Sequence, residues 1–431
     1  MTATSASGSS AADWLGRAFW FGLVFVLLLG SFLRLPDHLF SSPDGPMRAL
    51  VALHPQAGFT GVGFDEGLYR KYVNSLIHTG LGDYPVIVDR YIEVQKTLPG
   101  SILPPVRFLY IFSGYLWHSI FGTEALTGLH DVASFFSILT LGLSTVIAWR
   151  LKGRGFALGV AALMAVAPTQ LHMSRHALVD GFFTFWALLT LWLLWENLRA
   201  PRRIGWIAAY AISLCLLVLT KENAFFVYVA LLAILLFNHW LRFGTVTREL
   251  LVATVVGPLL GVVALVFLAG GIETLRMTYQ LSVSKNYHLE YAILTGDGPW
   301  HRYLVDLLLA SPVVLLLAIG AAFRLDRTQK PELFVGLFIA ASFLVMCNLK
   351  YGMNLRYANM WDLPLRLLAL SQIVALSGFF GARYRTLLVA LGVLAICAFE
   401  FRQWIVLCVQ YPLYELVTEG LLRALHILKT H

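Results

Sequence analysis

The stretch Gly63-Phe64-Asp65-Glu66-Gly67-Leu68-Tyr69 sets two adjacent carboxylates in a polar segment of a chain that is otherwise mostly apolar. Acidic side chains are scarce here, 24 Asp and Glu in 431 residues. An acidic pair contributes little to packing, but it suits proton handling or cation binding beside a bilayer. Negative charge also suits a helix N-terminus, and the spacing that follows predicts an amphipathic helix over Glu66–Thr79.

Outward from this pair, the composition fixes the class. Hydrophobic residues make up 58% and charged residues 13% of the chain, with a mean hydropathy of +0.73. A soluble chain carries about a quarter charged residues. Apolar runs long enough to cross a bilayer recur from Phe19–Phe32 to Leu387–Phe399, which reads as an all-α polytopic membrane protein. The net charge of +8 does not point to nucleic acid, because the basic residues sit in short connectors. Lys152 and Arg154, then Arg199, Arg202 and Arg203, then Arg242 and Arg248, then Arg324, Arg327 and Lys330, then Arg383 and Arg385 fill every second connector. That alternation predicts about 11 spans, a cytoplasmic N-terminus and cytoplasmic basic loops. Residues 1–15 read as a flexible tail before a retained anchor, and residues 408–431 hold an interfacial helix over Tyr411–Leu428. The four cysteines, Cys215, Cys347, Cys397 and Cys408, lie in or beside apolar runs and read as neither disulfides nor metal ligands.

The other connectors carry the chemistry. The first spans residues 35–128, too long for a linker. Its Pro104-Pro105 pair leads into a second expected helix, Val106–Phe121, rich in the aromatics of interfacial helices. Gln170–Asp180, Thr220–Asn223, Gly271–Arg302 and Lys350–Asp362 are the further polar stretches on the same side. Function is therefore expected at the extracytoplasmic face.

Several residues there carry two readings. Asp65 and Glu66 are either a solvated loop pair or acids of a site. Arg175 and Asp180 either brace a helix end or place a second acid in an outward cavity. Lys221 and Glu222 either anchor the interface or offer a lysine to a phosphate. Lys350 and Arg356 run against the charge rule, and they bind either lipid headgroups or a lipid-linked phosphate. His172, His176 and Asp180 make a helical stripe that could hold a metal, but Pro168 argues against a continuous helix. No Walker motif or Gly-x-Ser-x-Gly occurs.

The order of these motifs resembles a known group. An Asp-Glu pair with amphipathic helices follows a first span. Next come the Pro-Pro entry to an aromatic helix, Ser174-Arg175 with Asp180, Leu219-Thr220-Lys221-Glu222, and a late Asn354-Leu355-Arg356-Tyr357. This is similar to the GT-C membrane glycosyltransferases, in particular the protein O-mannosyltransferase and aminoarabinose transferase superfamily. The resemblance implies a GT-C fold as a single transmembrane domain over residues 1–431. It implies sugar transfer from a polyprenyl-phosphate carrier to a lipid, glycan or protein acceptor, with inversion at the anomeric carbon. Asp65 then matches the acid that takes or orients the acceptor proton, with Glu66 beside it and Asp180 as a second acid. Lys221, Arg356, Lys350 and Arg175 are the candidates for the carrier phosphate, and Tyr69, Arg107 and Tyr357 for the cavity wall. No cofactor is implied, and a divalent cation is admissible but not indicated. The expected location is a bacterial inner membrane, with membrane lipids and the lipid-linked donor as partners and no nucleic acid. Against this stand a transporter or flippase, which favours symmetric halves and mid-span charges, and a non-catalytic membrane subunit.

Overall fold

The structure, a computed structural model, describes residues 7–56, 61–350 and 352–410. Among these residues the regular elements are all helical. Helix α1 runs Ser7–Arg34, so the stretch expected to be a tail through residue 15 is already helical from Ser7. The interfacial helix expected over Tyr411–Leu428 lies outside the described residues.

Besides short helical turns such as His38–Ser41 and Arg48–Leu53, the long first connector holds three longer helices, α2 (Phe64–Thr79), α3 (Tyr84–Thr97) and α4 (Phe108–Phe121). Two match the expected amphipathic pair and α3 is additional. Its buried residues, Tyr84, Ile87, Val88, Tyr91, Ile92 and Gln95, recur at helical spacing. The apolar ones pack with Tyr69, Val73 and Leu76 of α2, Tyr110 of α4 and bundle residues such as Leu129 and Phe182 into a second core cluster. Each fully buried apolar side chain there contributes roughly 1.5–3 kcal/mol. The proline-rich path before α4 cannot join a sheet or helix, so its carbonyls are met by side chains. Tyr72 donates to Leu103 O at 2.6 Å, Tyr84 to Pro105 O, and Gln95 to Gly100 O at 2.9 Å. This holds Arg107 in place at the start of α4.

The bundle follows in order. It contains α5 (Ala125–Lys152), α6 (Arg154–Ala165), α7 (Pro168–Arg175), α8 (Val179–Arg199), α9 (Ile204–Thr220), α10 (Ala224–Leu241) and α11 (Arg248–Leu268). After α12 (Ile272–Asn286) come α13 (Arg302–Ala310), α14 (Pro312–Ala322), α15 (Lys330–Met346), α16 (Asp362–Ser377) and α17 (Ala382–Trp404). Among the described residues, six helical stretches are long and apolar enough to cross a membrane: α5, α8, α10, α11, Leu355–Phe380 and Ala382–Gln410. The pair α6 and α7, bent by 55°, makes a seventh if taken as one span. The expectation of about 11 spans exceeds this count. The difference lies in shorter apolar helices, among them Ala18–Arg34, α9 and α14.

Two packing features position the site. Helices α9 and α11 lie so close that a Cβ at Gly257 would sit 2.7 Å from Ala211 O, and one at Gly261 2.8 Å from Cys215 O. Only glycine permits that approach, which sets the end of α9 and therefore Lys221. The second feature is a buried ionic cluster where α1, α6, α7, α16 and α17 meet. Arg366 donates to Asp362 at 2.7 Å and Glu400 at 2.5 Å. Arg34 donates to the carbonyls of Met164 at 2.7 Å and Ala165 at 2.8 Å. Gln170 reaches Asp362 at 2.9 Å. These bonds tie α1, α6, α7, α16 and α17 together. They also fix the 3₁₀ turn Leu355–Trp361 that enters α16.

Candidate active site

Four chain segments far apart in sequence bring their polar ends together. Asp65 is the second residue of α2, and Asp180 is the second residue of α8. Lys221 follows the last residue of α9. Arg356 and Tyr357 lie in the 3₁₀ turn before α16, where Asn354 caps the turn by accepting the Arg356 N–H at 3.0 Å.

Their side chains form a chain of ion pairs. Lys221 Nζ is 2.5 Å from Asp180 Oδ1. Arg356 Nη1 is 3.0 Å from Asp65 Oδ2, and its Nε is 3.9 Å from Asp180 Oδ2. Tyr357 lies under both cations, its ring centroid 4.0 Å from Lys221 Nζ and 5.3 Å from Arg356 Cζ. Exposure separates the acids. Asp65 is 21% exposed and Asp180 4%. Asp65 is thus the carboxylate open to solvent, and Asp180 is sealed behind Lys221.

Glu66 stands apart from this cluster. Gly63, at the N-cap of α2, has no side chain to cap the helix, so Glu66 reaches back to accept its N–H at 2.7 Å. Its other oxygen accepts the Ala177 N–H at 2.8 Å and lies 3.2 Å from His176 Nδ1. Burial pushes this carboxyl up, but His176 and the Gly63 N–H outweigh it and hold the carboxyl at about 2. Both oxygens of Glu66 are therefore committed to holding α2 against the turn between α7 and α8. This departs from the expectation that Glu66 serves as an acid of the site.

Arg107 forms a second unit at the edge. It pairs with Glu222 through two bonds and donates to the Tyr69 hydroxyl at 2.8 Å. Burial raises the Glu222 carboxyl, yet the charges of Arg107 and Lys221 bring it down to about 2. Burial likewise pushes the Tyr69 phenol up. Glu222, not among the expected site residues, was signalled only by its place beside Lys221.

One expected phosphate ligand lies elsewhere. Arg175 turns away from Asp180. It bonds Asp37 at 3.0 Å, Leu33 O at 3.2 Å and His54 at 3.0 Å, and stacks on Trp404. The reason is local: α7 ends at Arg175 and α8 starts at Val179, so the two residues leave on different helices. Lys350 is exposed in the turn after α15. The same helix break splits the stripe of His172, His176 and Asp180. Among the described residues, no three of His, Cys, Asp and Glu converge as metal ligands.

The comparisons with known proteins agree with this architecture. Residues 119–284 match the family of dolichyl-phosphate-mannose-protein mannosyltransferases. No curated protein matches the chain by sequence. The crystal structure of ArnT from Cupriavidus metallidurans in the apo state is similar at 16% identity and a TM-score of 0.54, over 95% of this chain and 77% of that one. The same protein bound to undecaprenyl phosphate is similar at 16% identity and a TM-score of 0.52, over the same shares. The apo oligosaccharyltransferase of Archaeoglobus fulgidus is similar at 15% identity and a TM-score of 0.56, over 93% of this chain and 55% of that one. The chain thus spans about half the length of the archaeal enzyme. With helices long and apolar enough to cross a membrane, a shared architecture and a family match over its middle part, the chain is an integral membrane protein of the GT-C fold, similar over residues 119–284 to the dolichyl-phosphate-mannose-protein mannosyltransferases.

Proposed function

We propose that this protein transfers a sugar from a polyprenyl-phosphate carrier to an acceptor at the extracytoplasmic face of a bacterial inner membrane. The observation that carries the reading is the convergence of an accessible carboxylate, Asp65, with Arg356 and Lys221 where several apolar helices end. A carrier with a long apolar tail must be met in the bilayer, and its phosphate needs cations at the membrane surface. The undecaprenyl-phosphate complex of the ArnT relative supports a carrier of this class.

In the reaction, an acceptor oxygen attacks the anomeric carbon as the bond from that carbon to the phosphate oxygen breaks. The electron pair leaves with the carrier phosphate, which gains a negative charge beside Arg356 and Lys221. The acceptor proton passes to Asp65. A single displacement of this kind inverts the anomeric configuration. Asp180 aims Lys221, Tyr357 supports both cations, and Arg107 with Tyr69 walls the cavity. A transporter favours charges at mid-span. Here Arg366 lies only one helical turn, about 6 Å, below Asp362 at the outer end of α16. The test is an in vitro transfer assay with purified protein and a polyprenyl-phosphate sugar, reading product formation and anomeric configuration. Absence of transfer to lipid, glycan and peptide acceptors alike, alongside movement of the carrier across vesicles, overturns the reading.

A further inference from the structure

The cations that would meet a carrier phosphate are already engaged. Arg356 holds Asp65 at 3.0 Å and leans on Asp180 at 3.9 Å, while Lys221 holds Asp180 at 2.5 Å. Two carboxylates and two cations cancel, so the resting cluster offers an incoming anion little net charge. The pairing also ties up the Asp65 oxygen that faces Arg356, one of the two with which this residue accepts a proton.

The two pairs differ in how readily they can part. Lys221 and Asp180 are 2% and 4% exposed, and separating them leaves a buried charge without a counterion. Arg356 and Asp65 are 12% and 21% exposed, so Asp65 can turn to solvent or to an acceptor hydroxyl. Tyr357 stays under the guanidinium when its carboxylate leaves. Arg107 offers no substitute, because Glu222 and Tyr69 occupy it.

We propose that Asp65 and the carrier phosphate compete for Arg356, so that the carrier frees the catalytic carboxylate by taking its partner. This rests on the reading of the anion as a carrier phosphate. A phosphate presents several oxygens to the planar fork of arginine and can engage two of its N–H groups at once. The competition also sharpens during the reaction. The donor is a phosphodiester with one negative charge, and the departing monoester gains a second. Arg356 is drawn toward the phosphate as Asp65 takes up the acceptor proton. Before the carrier arrives, Asp65 stays bound to Arg356 and is kept from acting on stray hydroxyls and water. Binding is therefore ordered, carrier first and acceptor second.

The test is a double-mutant cycle on the affinity for undecaprenyl phosphate, measured in nanodiscs with D65N, R356Q and the double variant. D65N should bind the probe about tenfold more tightly than wild type, the scale of one charge-assisted hydrogen bond. R356Q should bind about tenfold more weakly. The double variant should match R356Q, because the gain from D65N acts through Arg356. If the D65N gain persists undiminished with R356Q, a general field effect is at work and the proposal is overturned. If R356Q weakens binding while D65N leaves it unchanged, the competition is overturned and the carrier-phosphate reading stands. If phosphatidylglycerol displaces the probe as well as the carrier itself does, or R356Q and Lys221→Gln both bind like wild type, the carrier-phosphate reading itself falls. Should R356Q fail to fold, R356K keeps the charge and loses the fork. The D65N gain must then be smaller with R356K than in wild type, and an equal gain overturns the proposal.

Discussion

Glu66 Oε1 accepts the Ala177 N–H at 2.8 Å, joining the helix that begins with Asp65 to the turn that precedes Asp180. One carboxylate thereby sets the distance between two others. Its second oxygen holds the Gly63 N–H, so neither end of α2's first turn can drift.

The first prediction concerns acid stability. The Glu66 carboxyl is held at about 2 in the fold against a usual value of 4.5. Between those values the unfolded chain binds the extra proton, so stability rises with pH. The contribution is complete above about pH 4.5 and is lost as pH falls toward 2. Glu66→Gln should cost about 1–3 kcal/mol near neutral pH, because an amide cannot accept from both N–H groups. Thermal melts across pH should show a shallower acid limb in the variant, and an unchanged limb would remove this role.

Asp65→Asn should abolish transfer while leaving the fold in place. Asparagine keeps the size of the side chain and is tolerated at helix starts. Loss of the proton acceptor should lower the rate by about 10²–10⁴. Product formation per folded molecule is the measurement, and a wild-type rate would take the catalytic role from Asp65.

For Arg175 the expected effect is structural. It joins Asp37, His54 and backbone carbonyls while buried against Trp404. Removing one partner of a buried network of this kind costs about 3–5 kcal/mol. Arg175→Ala should lower the melting temperature and the yield of folded protein. The fraction that folds should bind undecaprenyl phosphate as wild type does, and a selective loss of that binding would return Arg175 to the site.

Sidedness follows from helix direction. Asp180 and Arg199 end the same 21-residue helix, which spans about 31 Å. Single cysteines at Phe64 and at Arg202, in a background without the native four, should label from opposite sides with an impermeant thiol reagent. Phe64, 68% exposed, should react from the extracytoplasmic side. Labelling of both from one side contradicts the topology.

Much of the site was legible because its residues sit in polar gaps of an apolar chain. Asp65, Asp180, Lys221 and Arg356 each fall just beyond or just inside a helix end, where charge is otherwise costly. Their pairing was not legible, since the contacts Lys221–Asp180 and Arg356–Asp65 span distant segments and depend on how the bundle closes. Arg175 misled for the opposite reason: it lies five residues from Asp180, but a helix break sends the two apart. Helix α3 was readable from its period and was hidden by its charges, as Asp89, Arg90, Glu93 and Lys96 drew attention from the buried face. Glu66 read as chemistry because its neighbour does, whereas its task depends on a glycine three residues earlier.

The sealed cluster of Arg34, Arg366, Asp362 and Glu400 bears on how the chain is made. An ionisable side chain on a lone helix is costly wherever it faces lipid until it finds a partner. Arg34 finds shelter among backbone carbonyls once α6 has emerged. Arg366 finds its second carboxylate only when α17, some thirty residues later, brings Glu400. Until that moment α16 is a poor guest of the bilayer, and the insertion machinery has to keep it company. Biogenesis is then a closing of ranks around the last helix, and a cell that loses Glu400 should degrade the protein as unfinished before its activity matters.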